Sequence, residues 1–237
     1  VVNAVGSSIA READDVFYIL AGPEIAVAST KAYSAQVAAM YILTCHIAVA
    51  IGKMSKDEFK AVKEELYTIP GKIEYILQKE SVEKRLAEKY KGVRNVFYIG
   101  RGLDYLVSQE GSLKLKEISY IHSESYAAGE LKHGTISLIT ENMPVIAVAT
   151  QMDLVEKTIS NIKEVKARGA LVILVAAQEV EVEDGVADII IRLPKTPQMF
   201  MPMTAAVPLQ LIAYYTAVLK GNDVDKPRNL AKSVTVE

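Results

Sequence analysis

Short, continuous apolar runs alternate along the chain with longer segments in which apolar residues recur at helical spacing. Four of the short runs are rich in β-branched residues, and they lie at residues 96–101, 144–150, 170–177 and 187–194. Such runs are typical of strands that are buried on both faces of a parallel sheet. Residues 154–169 show an amphipathic helical pattern that ends at a glycine. The alternation predicts an α/β fold of doubly wound parallel sheets with flanking helices.

Residues 13–53 and 187–222 follow the same plan. Each begins with Ala-Asp and continues with a strand, a loop containing proline and a long apolar helix that ends near glycine and lysine. Any two strand–helix pairs look alike, but the shared start and similar loop length favour an internal repeat. We therefore expect the end of a first, incomplete module at 1–53, a second module at 54–221 and a tail at 222–237. On this interpretation the front of the first module precedes the chain, which is then a fragment.

Two further segments have helical patterns, of which one is rich in charged residues and the other is apolar. Residues 54–92 are charged with apolar residues at helical spacing, and Pro70-Gly71 is expected to break them into two helices. Residues 32–51 are apolar over a length that could span a membrane. They contain polar side chains and no second run of comparable strength follows, which favours a buried core helix. The residues from Val1 onward do not resemble a signal peptide, and we expect a cytoplasmic protein without membrane contact.

Composition narrows the classes of function. The formal net charge of −2 provides no basic surface for nucleic acid. The single cysteine, Cys45, lies in an apolar stretch and is interpreted as a buried structural thiol. The three histidines, His46, His122 and His133, share no spacing that suits a metal, so no metal site is expected.

The densest stretch of candidate chemistry is residues 100–134. Gly100 and Gly102 lie between a strand and a helix, where α/β folds bind ligands, although such turns also need glycine for geometry alone. In the helix that follows, Glu110, Lys114 and Glu117 share one stripe at the edge of the apolar face. The stripe is either a proton-transfer site or an ordinary salt bridge on the surface of a helix.

Two histidines follow this stripe. His133, among small residues and glycines, is a candidate acid or base because imidazole titrates near neutral pH, and it is equally suited to a plain surface. His122 falls on the apolar side of the preceding helical pattern and is expected to be a core residue. At the other end of the chain, Lys232 lies in a tail of short and β-branched residues. It is either a solvated charge or an amine delivered to a site by a tail that folds back.

Three stretches together resemble one enzyme family. EGSLKLKEISYIHSESYAAGELKHG at 110–134, GPEIAVASTKAYSAQ at 22–36 and DKPRNLAKSVTVE at 225–237 are similar to the isomerase portion of the glutamine–fructose-6-phosphate amidotransferases, the glucosamine-6-phosphate synthases. The resemblance covers essentially the whole chain. It implies two tandem sugar-isomerase (SIS) modules followed by a closing tail.

The resemblance also implies roles for individual residues. Lys232 in LAKS resembles the lysine that forms a Schiff base with the open-chain keto sugar. Glu117 in KLKEIS resembles the base that moves a proton between C1 and C2, and Lys114 its partner near the C1 hydroxyl. His133 in ELKHG resembles the ring-opening histidine, which in the family reaches into the site of the neighbouring subunit.

Further residues match positions that contact the sugar. These are Val27 and Ser29 in VASTK, the backbone of Ala231 and, beside them, Glu24 in GPEI. The implied partners are fructose-6-phosphate and glucosamine-6-phosphate, a second copy in a homodimer and a glutaminase domain in the full-length chain. No cofactor is implied.

The chain also departs from the family pattern. Nothing in it matches the glutaminase domain, and the phosphate-binding serine and threonine loops belong to the front of the first module. In the second module the strand ending at Thr150 continues as Gln-Met-Asp, without a run of hydroxyl side chains. We therefore expect little turnover from these residues alone. The alternatives are a non-catalytic SIS module that binds sugar phosphate as a regulator, and a purely structural domain.

Overall fold

The computed structural model describes residues 1–90 and 92–232. The last five residues of the predicted tail, 233–237, lie outside this range. The chain divides into two compact units, one formed by residues 1–70 with the described residues 225–232, and the other by Gly71–Val224.

The first unit is built mainly from helices. They are α1 (Ser8–Glu12), α2 (Lys31–Ala50) and α3 (Lys56–Gln78), of which α3 continues past Pro70 into the second unit. The strand expected after Ala13 is not formed, because residues 13–20 make a single parallel bridge, between Val2 and Tyr18. A lone bridge has no further strands to extend the ladder, so the apolar pattern there does not produce a sheet.

The helix α2 occupies the predicted apolar run, but the prediction that it is buried is wrong. Only 17% of its most apolar window is buried, although its Cys45 is enclosed, as expected, with 4% of its surface exposed. A second helix of equal mean hydropathy does exist, over Gln198–Leu219, and 67% of its window is buried. That segment carries no charged residue. Both helices are long and apolar enough to cross a membrane by length and composition alone.

The predicted break at Pro70-Gly71 is also wrong. The helix α3 runs through Pro70 and ends at Gln78, and α4 (Ser81–Tyr90) follows. A proline removes one backbone donor and strains the preceding turn, which is a limited cost when the helix is held on both sides. Ile69 and Ile76, before and after the proline, are almost fully buried. Their packing offsets the cost and the helix continues.

The second unit contains a five-stranded parallel sheet. The strands are β1 (Asn95–Gly100), β2 (His122–Ala127), β3 (Pro144–Ala149), β4 (Leu171–Ala177) and β5 (Ile189–Leu193). They lie in the order β2-β1-β3-β4-β5, and every pair is parallel. The four strands predicted from the apolar runs are confirmed, and so is the α/β class. The sequence order reverses between β1 and β3, where doubly wound sheets open a crevice at the carboxyl ends of their strands.

Helices flank this sheet. Besides α4 they are α5 (Leu103–Ser119), α6 (Val155–Lys166) and α7 (Met201–Leu219), with short 3-10 turns at Ala128–His133, Thr135–Leu138 and Gln198–Phe200. The helix α6 confirms the amphipathic prediction, and Gly169 behind it has a left-handed φ of +86°. The helix α7 packs along α5, where Gly111 leaves room for Leu209. The core of the unit thus lies between the sheet and its helices.

Candidate functional site

In the first unit, the amine of Lys232 lies against the loop that precedes α2. Its Nζ is 2.8 Å from Oε2 of Glu24, and it donates to Ser29 Oγ at 3.1 Å and to the carbonyls of Ala26 and Val27 at 2.9 and 3.4 Å. The hydroxyl of Ser29 also donates to Glu24 Oε2 at 3.0 Å. The tail therefore folds back within this unit and delivers its amine to the loop, so Lys232 is not a free solvated charge.

A second contact fixes the same tail. The backbone N–H of Val27 donates to the carbonyl of Asp225 at 2.9 Å, so the loop holds the tail at its start as well as at Lys232. Four of the residues that the resemblance singled out, Glu24, Val27, Ser29 and Lys232, are thereby brought together. Ala231 is exposed beside Lys232. That these residues bind a sugar stays a prediction.

The electrostatics of this cluster favour an ionised carboxylate. Burial works to raise the pKa of Glu24, but the hydrogen bonds from Lys232 and Ser29 outweigh it and hold that pKa below its usual range. The Lys31 ammonium contributes in the same direction. The side chain of Glu24 is 15% exposed and that of Lys232 is 41% exposed, so the amine remains reachable from solvent.

In the second unit, the stripe predicted on α5 is present and is largely buried. Lys114, with 5% of its surface exposed, places Nζ 2.6 Å from Glu117 Oε2 and 3.8 Å from Glu110 Oε1. Burial raises the pKa of Glu110, while the neighbouring Lys114 charge opposes this. The interpretation as an ordinary surface salt bridge is therefore wrong. A buried amine between two carboxylates can hold and transfer a proton.

Gln210 also contacts this stripe, and the sequence did not predict this contact. Gln210 on α7 donates from Nε2 to Glu110 Oε1 at 3.3 Å, across 100 residues of chain. Nothing in the local pattern of α7 marks this glutamine, because the contact depends on how α7 packs on α5. Its side chain fixes the orientation of the Glu110 carboxylate beside Lys114.

The turn after β1 is shaped by close backbone packing. A Cβ on Gly100 would lie 2.5 Å from the backbone carbonyl carbon of Asp104, and Gly102, immediately before α5, has a φ of +55°. Both glycines are therefore needed for geometry. The buried Asp104 accepts hydrogen bonds from the N–H groups of Thr150 and Gln151, at 2.7 and 3.2 Å, and from the Thr150 hydroxyl. These donors at the end of β3 are thus occupied by the chain's own carboxylate.

The two histidines that follow the stripe in sequence, His122 and His133, are both exposed. His133 ends the 3-10 turn at Ala128–His133 and is exposed, which agrees with a loop position. His122 is the first residue of β2 and is exposed, 3.5 Å from Glu124. The prediction that His122 is a core residue is wrong because α5 ends at Ser119 and the chain enters an edge strand. Among residues 1–90 and 92–232, no group of three or more histidine, cysteine, aspartate or glutamate residues could hold a metal ion.

The second unit has the fold of a doubly wound α/β protein. The first unit holds the amine of a C-terminal lysine against a loop. The family model of the SIS domain matches residues 1–45 and 89–220, and the chain belongs to this family. It is 56% identical over all 237 residues to glutamine–fructose-6-phosphate aminotransferase (isomerizing) from Caldanaerobacter subterraneus subsp. tengcongensis, and 56% identical to the same-named protein of Clostridium tetani. The chain spans 39% of the length of each of these curated relatives.

A solved structure agrees with these relatives. The C-terminal domain of glucosamine-fructose-6-phosphate aminotransferase from Francisella tularensis superposes with a TM-score of 0.89 at 39% sequence identity. The superposition covers 94% of this chain and 63% of that one. The similarity in sequence thus extends to the fold of the described residues.

Proposed function

We propose that this chain is the sugar-isomerising part of a glutamine–fructose-6-phosphate aminotransferase. In this proposal, fructose-6-phosphate and ammonia derived from glutamine become glucosamine-6-phosphate, and Lys232 forms an imine with the keto sugar. The cluster of Lys232 with Glu24 and Ser29 is the observation that carries the proposal. It supports an amine held ready at a loop, at a position that the family resemblance assigns to the Schiff-base lysine.

The second unit supplies the proton chemistry in this proposal. Imine formation at C2 acidifies the hydrogens at C1, and a carboxylate base can then move a proton between C1 and C2. Glu117 is the proposed base, with Lys114 as its partner. The buried contact of 2.6 Å between them supports this assignment, since it fixes the carboxylate in one orientation.

The sugar contacts are proposed for Glu24, Val27, Ser29 and the backbone of Ala231. The two oxygens of Glu24 support a sugar contact. Oε2 is bonded to Lys232 and Ser29, whereas Oε1 is buried and has no hydrogen-bond partner among the described residues. A buried acceptor without a partner is costly unless a ligand hydroxyl or water satisfies it. A sugar hydroxyl is a suitable donor.

Further parts of the proposal follow from the relatives. We propose a cytoplasmic homodimer in which His133 opens the sugar ring in the partner subunit's site, with a glutaminase domain in the full-length chain. The exposed position of His133 supports a role toward a second copy. The tandem modules at 1–53 and 54–221, followed by the tail, also belong to the proposal. The match of the family model in two separate segments supports them.

The test is reductive trapping in the complete gene product. Borohydride is added in the presence of fructose-6-phosphate, and the labelled peptide is identified by mass spectrometry. We expect the covalent label on Lys232 and no label in Lys232→Ala. Label on another lysine contradicts the proposal. Binding of fructose-6-phosphate without any label favours a non-catalytic regulatory module instead.

A further inference from the structure

Glu24 has a role at the Lys232 nitrogen that goes beyond contacting sugar. We propose that Glu24 is the counter-ion of this nitrogen in both of its cationic forms, the resting ammonium and the protonated imine formed with a keto sugar. This inference rests on the proposed function, because it requires that Lys232 forms the imine. It assigns to Glu24 the task of keeping that imine protonated.

The contacts at Nζ single out Glu24. Of the four oxygen atoms that surround the amine, those of Ala26, Val27 and Ser29 are neutral. The carboxylate of Glu24, at 2.8 Å, is the charged one among the described residues that contact Nζ. The neutral oxygens accept hydrogen bonds from an ammonium, but a carboxylate also balances its charge, and a charge-assisted hydrogen bond is the stronger contact.

The chemistry preserves this charge through imine formation. The ammonium nitrogen gives up two of its hydrogens, which leave as water with the carbonyl oxygen, and the C=O double bond becomes a C=N double bond. One hydrogen and the positive charge remain on nitrogen. An anion that is placed for the ammonium is therefore also placed for the iminium. The protonated imine is the form that withdraws electrons from the neighbouring carbon and makes its hydrogen acidic.

The surroundings of Glu24 keep its carboxylate available for this task. The charged groups that face it are Lys232 on the tail and Lys31 at the start of α2. The Nζ of Lys31 is bonded to the carbonyl of Pro23 at 2.7 Å, and Ser29 donates to the same Oε2 that binds Lys232. These groups favour the ionised form of Glu24, and an ionised carboxylate is what a counter-ion must be.

The experiment measures trapping against pH. Cyanoborohydride reduces protonated imines, so the rate of label formation on Lys232 with fructose-6-phosphate falls on the alkaline side as the imine loses its proton. In the complete gene product, Glu24→Gln should move this alkaline limb about one pH unit lower, as expected when an opposite charge within hydrogen-bond distance is removed. Glu24→Asp, which keeps the charge one methylene farther away, should move it in the same direction by less. Glu12→Gln, which removes an exposed charge of the same unit, should leave it in place.

The outcomes separate this inference from the proposed function. If the wild-type protein gives no label on Lys232, the proposed function fails. If it gives the label and Glu24→Gln leaves the alkaline limb in place, the counter-ion role is overturned and the proposed function stands. An equal movement in Glu12→Gln also overturns it, because the effect is then one of net charge. Should Glu24→Gln fail to fold, as judged by its thermal melt, an unmoved limb in Glu24→Asp overturns the role.

Discussion

The amine of Lys232, at one end of the sequence, lies 2.8 Å from the carboxylate of Glu24, near the other end. Ser29 is bonded to both members of the pair, since its hydroxyl contacts Lys232 Nζ and Glu24 Oε2 at 3.1 and 3.0 Å. The loop thus fixes the amine through one ion pair and one shared hydroxyl. A residue in the tail becomes part of a preorganised cluster through these contacts.

Ser29→Ala tests the shared hydroxyl. We expect the rate of imine trapping at Lys232 to fall about fivefold to tenfold, which corresponds to the loss of one net hydrogen bond of about 1 kcal/mol. Ser29→Thr keeps the hydroxyl and should retain most of the wild-type rate. Equal rates in the wild-type protein and Ser29→Ala would mean that Glu24 and the two carbonyls suffice to place the amine.

Glu117→Gln separates imine formation from proton transfer. Trapping at Lys232 should remain at the wild-type level, while conversion of fructose-6-phosphate to its aldose product should fall by about 10²-fold to 10⁴-fold, the usual contribution of a general base. The exchange of the C1 hydrogen with deuterated water is the direct measurement. Glu88→Gln on the exposed side of α4 is the control. Loss of trapping in Glu117→Gln would assign this residue a structural role.

The fold was predictable where burial on both sides leaves a simple apolar run. That condition holds for β1, β3 and β4, whose residues are nearly all buried. The edge strand β2, with the sequence HSESYA, was missed because most of its residues are only partly buried. It therefore carries polar side chains that continue the helical appearance of α5. Its first residue, His122, was misassigned for the same reason.

The site was predictable only where the chemistry lies within one element. Glu110, Lys114 and Glu117 are neighbours on a single helix, so spacing alone brings them together, although spacing did not reveal how deeply Lys114 is buried. Contacts that depend on packing leave no local signal in the sequence. Gln210 at Glu110 belongs to this class. The interpretation of Lys232 needed the family resemblance, because composition allowed a solvated tail charge equally well.

Lys114→Met tests the burial of the stripe. Removing this ammonium leaves the Glu110 and Glu117 carboxylates facing one another without a cation, so we expect a loss of about 3 kcal/mol in the free energy of unfolding by urea. Adding Glu110→Gln to Lys114→Met should recover part of this loss, because one of the two unpaired charges is then gone. A loss below about 1 kcal/mol in Lys114→Met alone would show that Lys114 and Glu117 behave as an exposed salt bridge.

Asp104→Ala tests the carboxylate that joins α5 to the end of β3. It leaves three donors of Thr150 and Gln151 without their acceptor in a buried place, and each unsatisfied donor costs about 1 kcal/mol or more. We expect a loss of about 3 kcal/mol in the free energy of unfolding. Asp184→Ala, in an exposed loop, should change it by less than about 0.5 kcal/mol. Similar losses in both variants would contradict this account of Asp104.

Glu83→Gln tests a buried carboxylate outside the proposed chemistry. Glu83 on α4 is 2% exposed, and its Oε2 has no hydrogen-bond partner among the described residues. Burial raises the pKa of Glu83 above that of the unfolded chain. The protonated side chain therefore contributes stability below the unfolded pKa, and this contribution is lost as the pH rises through the folded pKa. Because glutamine has the same shape and no charge, Glu83→Gln should become more stable than the wild-type protein as the pH rises.

The measurement is the free energy of unfolding by urea at about pH 4, below the pKa of an unperturbed glutamate, and at about pH 7, well above it. We expect the gain from Glu83→Gln to be on the order of 1 kcal/mol at the higher pH and close to zero at the lower one. Glu88→Gln on the same helix, where the side chain is exposed, should show no such difference. A gain that is the same at both pH values would contradict the prediction, because it would then arise from packing rather than from the charge that the folded protein buries.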